Sequence, residues 1–88
     1  MNVHEAITRH SQNQHRHLEI FAQLEAIREQ AIETAIEKCR SGTPYDVNQI
    51  NQVTRQINEH AKHGISPSRK YVSAAMVEQY VAKNRGKE

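Results

Sequence analysis

LEIFAQLEAIREQAIETAIEKCR, residues 18 to 40, decides the fold. In it Leu18, Ile20, Phe21, Leu24, Ile27, Ala31, Ile32, Ala35, Ile36 and Cys39 recur at three- and four-residue spacings, which is the helical period. Upstream, Asn2 followed by Glu5 has the form of an N-cap with its reciprocal partner, and no Pro or Gly interrupts the chain before Gly42. The spacing predicts one long helix from about residue 3 to about residue 40. Gly42 should end it, because a left-handed C-cap is easiest for glycine.

Working downstream, Asp46 and Gln49 have the spacing of a capping box, with Tyr45 and Ile50 as its hydrophobic staple. Val47, Ile50, Val53, Thr54, Ile57 and Ala61 form one stripe, and Asn48, Gln49, Gln52, Gln56, Glu59 and His63 the opposite polar face. A second helix is therefore predicted from Asp46 to Gly64. After an extended link containing Pro67, Ser73 can cap a third helix with Met76, Val77, Tyr80 and Val81 on its apolar face. Residues 1–83 then form a single helical domain, and residues 84–88 a frayed basic tail.

At ~1.5 Å per residue these helices measure about 55, 25 and 15 Å. Helix 2 can return antiparallel along residues 18 to 40 only, as a helical hairpin, leaving helix 3 for the amino-terminal half near Val3, Ala6 and Ile7. The fold class is all-α. Of the 88 residues only 36% are apolar, with no Trp, and the mean hydropathy is −0.85. Such a chain builds a thin core, and oligomerisation is a common remedy. The apolar positions of residues 18 to 39 spread over more of helix 1 than one small neighbour covers, so the expectation is a homodimer completing a four-helix-like layer. Its interaction residues are Leu18, Phe21, Leu24, Ile27, Ile32 and Ile36 with Ile50, Val53 and Ile57.

Six histidines, His4, His10, His15, His17, His60 and His63, have to be tested as metal ligands. His15 and His17 lie roughly 200° apart on a helix and chelate together poorly. His60 and His63 are three apart, but His63 belongs to the polar face. Neither HExxH nor the ExxH of di-iron bundles occurs. The expectation is no metal and no cofactor. His10, Gln14 and His17 share the seam of Val3, Ile7 and Phe21, where a polar stretch can fix register or partner choice, and an interfacial histidine makes association depend on pH.

Catalysis finds little support. Asp46, the lone aspartate, reads as a cap, and Glu25, Glu29, Glu33 and Glu37, four apart, read as a solvated helix face. Cys39 lies in the apolar stripe, where cysteine behaves as a small buried hydrophobe. The chain has three glycines, none in a phosphate-cradling loop, and no enzyme is expected. The amino terminus lacks the basic region and apolar run of a secretory leader, no apolar stretch is long enough to span a membrane, and a lone cysteine suits a reducing compartment. The expectation is a cytoplasmic protein. The net charge of +2 sits in the tail, where residues 66–88 hold five Lys or Arg against two Glu. AKHGISPSRKYVS, residues 61–73, has some features of a helix-turn-helix in which Ser66 caps a recognition helix and Arg69 and Lys70 face a nucleic-acid groove. Ala61 precedes Gly64 by three residues instead of the usual four, and Ser73 offers a competing cap.

NVHEAI at 2–7, VTRQINE at 53–59, GISPSRKYVS at 64–73 and MVEQYV at 76–81 resemble the YpbS-like proteins, small uncharacterised proteins of Bacillus-type Firmicutes. The resemblance covers nearly the whole chain and contains no catalytic motif. It implies a short cytoplasmic protein without an established activity, and transfers no site residues. The sequence thus points to a non-enzymatic helical interaction or structural protein that self-associates, with a nucleic-acid-binding module using Arg69 and Lys70 as the alternative.

Overall fold

The computed structural model describes residues 3–64 and 66–85, and the side chains of 12, 14–64 and 66–84. Three helices form among these residues: α1 (Val3–Arg40), α2 (Asn48–Ala61) and α3 (Ala74–Arg85). The fold is all-α, and α1 ends as its sequence dictates. Gly42 adopts φ +74°, its amide donates to the carbonyl of Cys39 at 3.2 Å, and the Thr43 amide donates to that of Lys38 at 2.9 Å. These two bonds make a Schellman motif, which needs a left-handed residue at Gly42. Gly42→Ala is expected to cost about 1 kcal/mol in urea denaturation, the penalty of a Cβ in that region, since open space surrounds the position. The cap of Asn2 lies outside the described residues.

The short helices pack on α1. Contacts between His17 and His60, Arg28 and Thr54, and Ala31 and Ala35 with Ile50 show that α2 runs antiparallel to α1. Two alanines at the crossing let the backbones approach closely. Opposite them, Ile50, Val53, Thr54 and Ile57 recur on one face of α2 and are buried. The α2 start falls later than Asp46 predicts. Val47 takes the N-cap position, its carbonyl accepting from the Asn51 amide at 3.0 Å, and Asp46 Oδ1 accepts from the Asn48 amide at 3.0 Å. The same carboxylate satisfies a terminal N–H, one position further out, as an Asx turn. Tyr45 does pack on the cluster containing Ile50.

Ser73 caps α3 as its sequence suggests, its hydroxyl accepting from the Met76 amide at 3.2 Å. The helix continues to Arg85, into the stretch expected as tail. Its place differs from the expectation. Val77 joins Ala31, Ala35 and Ile50 in one cluster, with Ile32, Ile36 and Val72 against it, so α3 covers the carboxy-terminal half of α1 and not the region of Val3, Ala6 and Ile7. The link before it turns back alongside α1 and delivers α3 there. The result is a slab of 61 × 25 × 15 Å. No helix among the described residues is long and apolar enough to cross a membrane.

Candidate functional site

Residues 66–73 are not helical, so a recognition helix starting at Ser66 and Pro67 does not form. They make an extended strap held by side chains of both α1 and α2. Asn58 Nδ2 donates to the Arg69 carbonyl at 3.0 Å while the Arg69 amide donates to Asn58 Oδ1 at 2.8 Å. Asn51 brackets Val72 in the same way, with both bonds at 2.8 Å. The spacing explains the match. Seven helical residues rise ~10.5 Å, and three extended residues span ~10 Å, so two asparagines on one face of α2 are spaced to reach two strap residues three apart.

The α1 side is tied as firmly. Arg69 Nε donates to Glu25 Oε1 and Oε2 at 3.1 and 3.2 Å, and its guanidinium lies 5.4 Å from the centre of the Phe21 ring, within cation–π range. Arg28 bridges α2 and the strap, donating from Nε to Thr54 Oγ1 at 2.9 Å and from a terminal nitrogen to the Lys70 carbonyl at 3.0 Å. Thr54 is fully buried, and its hydroxyl donates to the Ile50 carbonyl at 2.8 Å. Lys70 is exposed, but Arg69 is held inward, and Glu25 leaves the solvated carboxylate row to hold it.

At the Ser66 end of the strap, the His17 and His60 rings stack with centroids 3.6 Å apart and planes 16° from parallel. His17 Nε2 shares a hydrogen bond with Ser66 Oγ at 3.0 Å, and His60 Nε2 donates to the His17 carbonyl at 2.7 Å. Gly64 lies directly against the His17 ring, so close that a Cβ there would displace it. Burial holds the His17 pKa below its ordinary 6.5, helped by His60 and then His63. Of the other members of the polar seam, Gln14 is exposed and the His10 side chain lies outside the described residues. His15 pairs with Glu19 at 2.8 Å on the surface. Among the described residues no three of His, Cys, Asp and Glu are placed to hold a metal ion.

The interaction residues divide among three environments. Ile50, Val53 and Ile57 are buried inside the chain, Phe21, Leu24, Ile32 and Ile36 are half-buried, and Leu18 and Ile27 are exposed. Ile32 and Ile36 form one wall of an open groove of about 500 Å³ between α1 and α3, with Val77, Met76 and Tyr80 across from them and Glu29 and Glu33 at the α1 lip. Met76 and Tyr80 are about half exposed, at 46% and 50%. Cys39 packs with Tyr45 against the core, and burial together with the Cys39 thiol and Glu78 pushes the Tyr45 pKa up to about 12. Its hydroxyl remains a donor at ordinary pH, reaching the Ala74 carbonyl at 3.3 Å.

Sequence reasoning missed Asn51 and Asn58. Their seven-residue spacing was the available signal, lost among eight Gln and six Asn in the chain. No solved structure matches the chain. It is 49% identical to the uncharacterized protein YpbS of Bacillus subtilis (strain 168) over 81 residues, 92% of this chain and 95% of that one. A family model described as "Protein of unknown function (DUF2533)" matches residues 1–83, and the chain belongs to that family.

Proposed function

We propose that the chain is a non-enzymatic interaction protein of the cytoplasm in which two copies meet through the α1–α3 groove. The observation that carries this reading is the groove itself: Ile32, Ile36, Met76 and Tyr80 leave an apolar trough open on one side of a slab 15 Å thick. A second copy suits it because the acidic α1 lip faces a helix that carries both signs of charge, Glu78 and Lys83. Glu29 and Glu33 line the α1 lip, and Lys83 lies one turn beyond Tyr80 on α3. A two-fold axis running along the trough would set the α1 lip of each copy over α3 of the other, as one self-complementary patch. Covering the trough would enlarge a core that is small among the described residues.

Sedimentation equilibrium across micromolar to millimolar concentration tests the reading. A dimer is expected, with Tyr80→Glu weakening association roughly 10- to 100-fold, an effect of ~1.4 to 2.8 kcal/mol. A wild-type monomer throughout the range overturns self-association. A dimer indifferent to Tyr80→Glu and Met76→Lys places the contact elsewhere.

A further inference from the structure

The stacked histidines sit where the strap begins. Two imidazoles 3.6 Å apart pack well when at most one is charged, because like charges at that separation in a half-buried setting repel strongly. The arrangement is also tightly specified. His60 is oriented by the His17 carbonyl, His17 is tethered to Ser66 Oγ, and Gly64 closes over the His17 ring. A ring so enclosed has little room to turn in place when its hydrogen-bonding needs change.

We propose that the His17–His60 stack is a pH-operated latch: protonation of His17 parts the rings and frees the Ser66 end of the strap, while the Asn58 and Asn51 brackets hold the remainder in place. This inference is independent of whether two copies meet at the groove. The surroundings of His17 favour release over accommodation. On α1, Glu19 is engaged by His15, and Glu25, two turns on, by Arg69. From α2 it faces His60 and His63, with Glu59 paired to Lys62. The strap presents the Ser66 hydroxyl, and then Arg69. Each carboxylate named is already matched with a cationic or histidine partner, so a charge on His17 would meet imidazoles.

The direction in pH follows. Burial, His60 and His63 lower the His17 pKa in the closed form, so an opened or unfolded His17 takes its proton nearer the ordinary 6.5. The stack's contribution is therefore complete above about pH 6.5, and declines as pH falls from there towards the lower closed-form value.

Wild-type protein tests this by NMR. The His17 ring protons should titrate with a midpoint below 6.5, and the Ser66 and Ser68 amides should shift with the same midpoint. Hydrogen exchange at those two amides, corrected for intrinsic rate, should accelerate roughly 10-fold or more between pH 7.5 and 5, while Val72 stays protected. Gly64→Ala should show the fast exchange already at pH 7.5, since the added methyl displaces the His17 ring. His17→Phe keeps an aromatic against His60 without a titrating group, and should flatten the dependence. A His17 midpoint at or above 6.5, strap amides indifferent to pH, or acceleration at Val72 equal to that at Ser68 would each overturn the latch.

Discussion

Ile57→Ala is expected to lower the unfolding free energy by about 3 kcal/mol in urea titration, within the usual range of ~2 to 5 for this truncation in a core. Ile57 is 0% exposed and belongs to the α2 face that covers α1. The effect is large relative to the whole, because 88 residues at ~0.05 to 0.15 kcal/mol each yield a total of only about 4 to 13 kcal/mol. In a slab this thin few neighbours can move in to fill the space left, so the cavity term should be retained in full. Ile20→Ala provides the contrast. Ile20 is 40% exposed and its truncation should cost less than about 1 kcal/mol. Equal losses at the two positions would mean that the buried face of α2 is not the principal core.

The carboxy-terminal end of α1 and the start of α3 were legible because their signals are local. Gly42 fixes its own φ, and Ser73 reaches an amide three residues on. Asp46 shows the limit of such reading: an N-cap and an Asx turn use the same carboxylate, and only the backbone at Val47 decides between them. The placement of α3 was not legible at all. It depends on where the strap lies, and the strap is held by partners distant in sequence. Arg69 read as a groove-facing cation from its neighbours, whereas its partner Glu25 is 44 residues away. His17 illustrates the same difficulty. The heptad spacing with His10 suggested a seam between chains, but its ring meets His60 of the same chain. Helical periodicity reports which residues share a face, and says nothing of which element comes to cover it.

Asn51→Ala combined with Asn58→Ala is expected to cost about 2 to 5 kcal/mol and to detach the strap. Each asparagine supplies one donor and one acceptor to a partly buried backbone unit, at 2.8 to 3.0 Å, so each truncation leaves an N–H and a C=O unmatched. One such loss costs ~1 to 3 kcal/mol. The pair should not add simply, since both brackets hold the same short segment and the first loss allows the strap to relax onto water. Hydrogen exchange separates strap release from a general loss of stability: the Arg69 and Val72 amides should lose protection first, and the α2 amides near Ile57 only with global unfolding. The single variants should act at their own rungs, Asn58→Ala on Arg69 and Asn51→Ala on Val72. Asn→Asp at either position retains the acceptor and removes the donor, and should restore protection of the strap amide while leaving its carbonyl unmatched. If both amides remain protected in the double variant, the strap is held from α1 alone, through Glu25 and Arg28, and the asparagine brackets are incidental to its path.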